Sequence, residues 1–277
     1  MKTKFQWRLT PGASALSAAA VTKILSSRDN PTVKALRAQR DPARALLDGP
    51  HLVAAYREKV GLPLRLIVSE TGLAHPEVAV LLAACAAAET VCLRDPLFRE
   101  LSATDTPVGI LAEIAVPAAP TGAVSASCVL LDAVQDAGNV GAILRTAAAA
   151  GIRDVVLGVG CAGAWTPKVL RAGQGAHFDL AIRERIDLPD FLANYAGSGI
   201  AAVARDGTPL YQLDLAGPVA WIFGNEGAGV SEKLALAARR RATIPLAAGC
   251  ESLNVAAAAA ICLFEERRQK LATMGQR

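Results

Sequence analysis

Apolar and polar positions alternate along the chain with two different periods. Short runs rich in β-branched residues, Leu64–Ser69, Thr90–Asp95 and Val108–Ala115, read as strands, while Asn30–Asp41, His51–Val60 and His75–Ala88 repeat apolar residues at helical spacing. This alternation predicts a small α/β unit over residues 23–115. The stretch VPAAPTG, residues 116–122, has the composition of a linker. Beyond it the strands are apolar at nearly every position: Cys128–Val134, Asp154–Val159, Phe178–Ile182, Ile200–Ala204, Val219–Phe223 and Ala242–Leu246. Strands apolar on both sides and separated by helical patterns predict an α/β domain over 123–277, a parallel sheet with helices on both faces. The chain closes on a helix from Ser252 onward, where Glu266 and Lys270 stand one turn apart. No repeat of 20 to 50 residues is visible. Residues 1–22 fit neither pattern and are expected to be an extension without fixed structure.

Composition narrows this picture. With 277 residues, 52% apolar and 19% charged, the chain is a globular protein rather than a disordered one. The net charge of +4 is unevenly placed, since residues 1–44 hold nine lysines and arginines against Asp29 and Asp41. A basic leading segment is either a solvated face or a surface for a polyanion. Six cysteines show no C-x-x-C pair and no His/Cys cluster at zinc spacing, so they read as reduced thiols, with no metal site. Trp7, Arg8 and Pro11 interrupt any signal-peptide core, and the most apolar window, LNVAAAAAICLF, is short of the roughly 20 residues needed to cross a bilayer. The expectation is a cytoplasmic protein with no membrane partner.

Ligands in open parallel sheets bind beyond the carboxyl ends of the strands, and three loops there combine glycine with small polar residues. They are QDAGNVGAILRT (135–146), FGNEGAGVSEKL (223–234) and IPLAAGCESLNVA (244–256). Each can present backbone N–H groups to a ligand. Each can equally be a turn, with Asn139, Ser231 and Ser252 capping the helices that follow. Arg145 adds a planar cation suited to phosphate, and Glu226 adds a carboxylate. A fourth stretch, LGVGCAG (157–163), matches the G-x-G-x-x-G spacing of dinucleotide sites, with Asp179 and Glu184 as ribose acids. Pro167 argues against a nicotinamide enzyme, because it places the helix start well after the third glycine, away from a pyrophosphate.

Taken together, the three loops resemble the SpoU (TrmH-like) family of RNA ribose 2′-O-methyltransferases in the SPOUT superfamily. The first family motif, N-x-G-x-x-x-R-T-A, is met by Asn139, Gly141, Arg145, Thr146 and Ala147. The second, G-x-E-G-x-G, is met by Gly224, Glu226, Gly227 and Gly229. The third is met by Ile244 and Pro245, then Ser252, Leu253, Asn254 and Val255. The domain before the linker is similar, more weakly, to the ribosomal-protein-like RNA-binding domain that often precedes this catalytic domain.

The resemblance implies S-adenosylmethionine as methyl donor, held by Gly224, Gly229, Ile244, Leu253 and Asn254, and a C-terminal trefoil knot, which no periodicity could foretell. It also implies a homodimer. Arg145 would face RNA at the transfer site, with Asn139, Ser252 and Asn254 positioning the hydroxyl or the arginine and Glu226 ordering the loop. Arg28, Lys34, Arg37 and Arg40 would contact phosphates. Ribosomal RNA is the expected substrate. Transfer RNA, and a non-catalytic RNA-binding protein that keeps the fold, are the alternatives.

Overall fold

The computed structural model describes residues 24–38 and 41–274, so the reading of residues 1–22 and that of Arg40 lie outside the described residues. The chain divides into two compact units, Met1–Val116 and Pro117–Arg277.

The first unit runs β1 (Ile24–Leu25), α1 (Pro31–Ala38), β2 (Arg44–Asp48), α2 (Pro50–Lys59), β3 (Arg65–Ser69), α3 (Pro76–Ala84), β4 (Glu89–Leu93), α4 (Asp95–Leu101) and β5 (Ile110–Ala115). Proline stands in the first turn of α2, α3 and α4, where its missing N–H costs no hydrogen bond. The sheet order is β1-β4-β3-β5-β2, with β5 antiparallel to both of its neighbours. Leu66, Ile67 and Val68 of β3 are fully buried. The alternation missed β2, whose apolar run is only Ala45–Leu47, and did not resolve α4.

The second unit runs β6 (Cys128–Asp132), α5 (Ala137–Ala150), β7 (Asp154–Gly158), α6 (Pro167–Gly173), β8 (Ala181–Ile186), α7 (Leu188–Ala193), β9 (Ser198–Ala202), β10 (Thr208–Pro209), β11 (Val219–Gly224), α8 (Glu232–Ala237), β12 (Arg240–Thr243) and α9 (Val255–Met274). All pairings are parallel, in the order β10-β12-β9-β11-β6-β7-β8. Alternate residues of the central strands serve two cores. Val129, Leu131, Trp221 and Phe223 pack against α5, α6 and α9, while Cys128, Leu130, Ala220 and Ile222 pack against α7 and α8. Strands β6 and β11 are neighbours at the point where the strand order reverses, and the loops leaving them open a crevice there.

Two features of this unit bear on its stability. Gly141 brings α5 against α6 so closely that a Cβ would lie 2.4 Å from that of Ala172 and 2.7 Å from the Val169 carbonyl. On α9, the buried Glu266 carboxylate accepts from Trp221 Nε1 at 2.5 Å and pairs with Lys270 at 2.6 Å. Lys270 also donates to Ser127 Oγ, which accepts the Val219 N–H. The last helix is thereby fastened to β11 and to the entry of β6 by an ionic network whose carboxylate is buried and whose ammonium is half-buried. Where a strand was expected from Phe178, a 3-10 turn over Ala176–Asp179 intervenes and β8 starts at Ala181. The turn drives His177 into the core beside Trp165, with one ring nitrogen 2.8 Å from the Ala164 carbonyl. Four cysteines are buried, Cys161 is half-buried and Cys250 is exposed; all six are free thiols.

Candidate active site

The three glycine-bearing loops meet over the crevice. A cavity of about 270 Å³ is lined there by Gly224, Glu226 and Gly229 of the second loop, and by Ile244, Ser252, Leu253 and Asn254 of the third. Ala202, Val203 and Ala204, following β9, form part of the same wall. A larger concavity, 470 Å³, lies in the first unit around the Arg44, Arg65 and Glu113 ion pairs.

The second loop is folded by its own backbone. Asn225 and Gly229 exchange both N–H···O bonds at 2.9 Å, and the Asn225 side chain accepts from Gly227 and Ala228 while donating to the Ala133 carbonyl. Glycine is required at 224, where a Cβ would lie 2.1 to 2.2 Å from the Gly229–Val230 backbone. Asp132, at the end of β6, accepts the Ser231 N–H at 2.7 Å and fixes the far end of the loop.

One carboxylate connects all three loops. Glu226 accepts from the backbone N–H groups of Gln135 at 3.3 Å and Asp136 at 3.1 Å, and from Asn139 Nδ2 at 3.0 Å. An ionised carboxylate only accepts, so the Asn139 amide must turn its NH2 toward Glu226 and its oxygen away. That oxygen accepts from Asn254 Nδ2 at 2.9 Å, which leaves the Asn254 oxygen for the N–H groups of Ala256 and Ala257 at the start of α9. A single charge thus orients two amides in series. Partial burial opposes the charge on Glu226, but the bonds from Asn139 and from the loop backbone outweigh it and hold its pKa below the ordinary range.

The structure also decides the capping question. Asp136 caps α5, accepting the Asn139 N–H at 2.8 Å, so Asn139 lies inside the first turn with its side chain free for long-range contacts. Asn254 caps α9. Ser252 precedes it and lines the cavity without capping. Ser231 stands at the start of α8 but makes no side-chain cap bond. Asp132, Asp136 and Asn225 escaped the sequence reading. The signal for Asp136 was present, a small acid three residues before a helical N–H.

Arg145 is placed differently. Six residues beyond Asn139, it lies about 9 Å further along α5 and about 120° away around it. It does not line the cavity, is exposed, and has no hydrogen-bond or ion-pair partner among the described residues. The proposed phosphate contacts of the first unit do have partners. Arg28 and Arg37 both pair with Glu100, and Lys34 pairs with Asp29. These pairs are solvent-exposed on the basic side, so each is worth at most about 1 kcal/mol and a phosphate can replace the carboxylate.

The cavity suits a small ligand with apolar and polar parts. Apolar walls from Val203, Ile244, Leu253 and Ala258 face a glycine-rich backbone, and Leu246 and Leu253 keep backbone N–H groups without an acceptor among the described residues. Among the described residues no group of acids, cysteines and histidines could hold a metal. No described helix is long and apolar enough to cross a membrane.

Comparison with known proteins bears on what this site belongs to. The profile of the SpoU rRNA methylase family matches residues 126–264. The chain belongs to that family. A 23S rRNA (guanosine(2553)-2′-O)-methyltransferase from Bacillus subtilis is 33% identical over 225 residues, covering 80% of this SpoU-family chain and 88% of the relative. Among solved structures, a TrmH-family protein from Porphyromonas gingivalis superposes with a TM-score of 0.74 at 33% identity, covering 86% of this chain and 97% of that one. An AdoMet-bound rRNA methyltransferase from Sinorhizobium meliloti gives 0.77 at 28% identity, covering 90% and 98%. The likeness therefore extends beyond the second unit into the first.

Proposed function

We propose that the protein transfers a methyl group from S-adenosylmethionine to a ribose 2′-hydroxyl in ribosomal RNA. The observation that carries this reading is the Glu226–Asn139–Asn254 relay, which ties the three motif loops around one cavity beside a helix that bears an unpaired guanidinium. When bound, the donor supplies an electrophilic methyl on a sulfonium. Gly224, Gly229, Ile244, Leu253 and Asn254 would hold it, through backbone groups and apolar contact. Their setting fits a nucleoside joined to an amino acid, and the AdoMet-bound relative supports the choice.

The chain must also align the hydroxyl and stabilise the oxygen as its proton leaves. Arg145 is poorly suited to remove that proton, because holding a guanidinium neutral at pH 7 would cost about 9 kcal/mol. It would act instead as an exposed, unpaired cation that is ordered on binding the adjoining phosphate and then stabilises negative charge developing on the 2′-oxygen, the proton passing to water or phosphate. Asn139, Ser252 and Asn254 position the hydroxyl, and Glu226 holds their loops in place.

The named substrates of the Bacillus and Sinorhizobium relatives favour ribosomal over transfer RNA. The first unit would select the site and supply phosphate contacts through Arg28, Lys34, Arg37 and Arg40. Two copies would pair, and the exposed Phe264 and Leu271, two turns apart on α9, support such a contact. A trefoil knot at the C-terminus rests on family likeness, and a reducing cytoplasmic setting suits six free thiols. The test is a map of 2′-O-methyl positions in ribosomal RNA from cells with and without the protein. One position should lose its methyl group; unchanged ribosomal RNA with a missing methyl in transfer RNA would move the substrate, and no change in either would reject the activity.

A further inference from the structure

The catalytic unit carries a basic concavity that none of the motif loops accounts for. It measures about 410 Å³ at the sheet edge and is lined by Asp206, Thr208, Leu236, Arg239, Arg240 and Arg241. Arg240 reaches Ser198 Oγ at 3.4 Å, but Arg239 and Arg241 are exposed and have no acid partner among the described residues. They differ in this from Arg28, Lys34 and Arg37, each of which holds a carboxylate.

Arg239 follows the end of α8 with φ of 62°, the left-handed conformation in which helices usually end on glycine. Ala133, Gln174, Arg185 and Asp206 also hold a positive φ, so this unit accommodates a side chain in that conformation at several turns.

Position indicates what the two arginines serve. Ala202–Ala204 line the donor cavity, and Asp206–Thr208, a few residues on, line this concavity. Between them Arg205 is exposed and pairs loosely, at 3.5 Å, with Glu251 of the third loop. A polymer with regularly spaced phosphates, leaving the transfer site over this segment, would meet Arg205 and then the two free arginines.

We propose that Arg239 and Arg241 form a phosphate-binding surface for the RNA backbone on the catalytic unit itself. The proposal rests on the reading of RNA as substrate. Such contacts position the strand without reading sequence, so they weaken all RNAs alike when lost.

The test uses the full chain, with oligouridylate and a ribosomal RNA transcript as probes, titrated between about 50 and 200 mM salt. Each phosphate contact to a single strand contributes roughly 0.7 to the slope of log affinity against log salt. The Arg239→Gly, Arg241→Gln double variant should lose about 1.4 from that slope and, near 0.1 M salt, on the order of twentyfold in affinity for both probes. Its affinity for S-adenosylmethionine should match wild type. Arg239→Gly alone should melt no lower than wild type, since glycine suits the left-handed backbone, yet bind RNA more weakly. A purely structural arginine would do the reverse. An unchanged slope in the double variant overturns the proposal, including the case in which that variant loses binding to polyglutamate, as a surface for an acidic protein would. If the wild type binds neither RNA with any salt dependence, the functional reading itself fails and this surface with it.

Discussion

Replacing Glu226 with glutamine keeps the shape of the side chain and removes the one charge that orients the relay. The carboxylate takes two bonds near 3 Å on Oε1, from Asp136 N and Asn139 Nδ2, and two longer ones on Oε2, from Gln135 N at 3.3 Å and Asn225 Nδ2 at 3.5 Å. A glutamine oxygen can serve the first pair, but its NH2 then faces the second pair of donors. Bonds to a charged acceptor are worth about 1.5 to 3 kcal/mol and neutral ones about 0.5 to 1.5, so the short pair weakens by roughly 1 kcal/mol each and the long pair is lost. Glu226 is exposed, and solvent screening reduces the sum to roughly 1 to 2 kcal/mol, felt as looser ordering of the three loops. If those loops must be ordered to hold the donor, affinity falls by about 5- to 30-fold. Titration calorimetry with S-adenosylmethionine measures this directly. In a double-mutant cycle with Asn139→Ala, coupling of at least about 0.5 kcal/mol is expected, because both changes break one chain of bonds. Wild-type affinity in Glu226→Gln, or strict additivity in the cycle, would refute the relay.

Other consequences concern stability. Burial lowers the His177 pKa to about 4, against an ordinary 6.5. Above pH 6.5 neither state is charged and the group contributes nothing. Below it the unfolded chain takes a proton that the folded one refuses, so stability falls as pH drops toward 4, by about 3 kcal/mol in full. Urea midpoints at pH 7 and 5 should show this, and a His177→Leu variant should show a smaller difference between them. Gly141→Ala should destabilise by about 1 to 3 kcal/mol, because the added methyl meets Ala172 and the α6 backbone; an unchanged urea midpoint would mean that α5 and α6 separate freely. Glu266→Ala leaves the Trp221 N–H without its acceptor and the half-buried Lys270 ammonium without its counter-ion, Ser127 Oγ alone remaining, and should cost about 2 to 4 kcal/mol in thermal or urea unfolding, whereas a loss under about 1 would show the network to be solvated.

How much of this was legible in the sequence depended on whether the controlling force was local. Continuous apolar runs located β6, β7, β9 and β11 because a strand buried on both faces has little room for polar residues. β2 escaped because only three of its five residues are buried, and the start of β8 was misjudged because His177, drawn inward, imposes a turn that no local pattern announces. The residues around the cavity followed from the motif loops, Gly224 through Asn254. Their connections did not. That Asp136 rather than Asn139 caps α5, and that the freed Asn139 amide reaches Glu226 and Asn254, 87 and 115 residues away, are facts of tertiary packing. Arg145 is the converse case. Helical phase alone puts it on a different side of α5 from Asn139, so its separation from the cavity was available in the spacing.

On the function proposed above, this chain alkylates a ribose oxygen with Arg145 as the stabilising cation. The direct measurement is to incubate the protein with methyl-labelled S-adenosylmethionine and ribosomal RNA, digest to nucleosides, and locate the label. Wild type should place it on a 2′-O-methylnucleoside, and Arg145→Ala should retain donor affinity while losing at least about 100-fold in rate. Label on a base, or a rate in Arg145→Ala equal to wild type, would contradict the account.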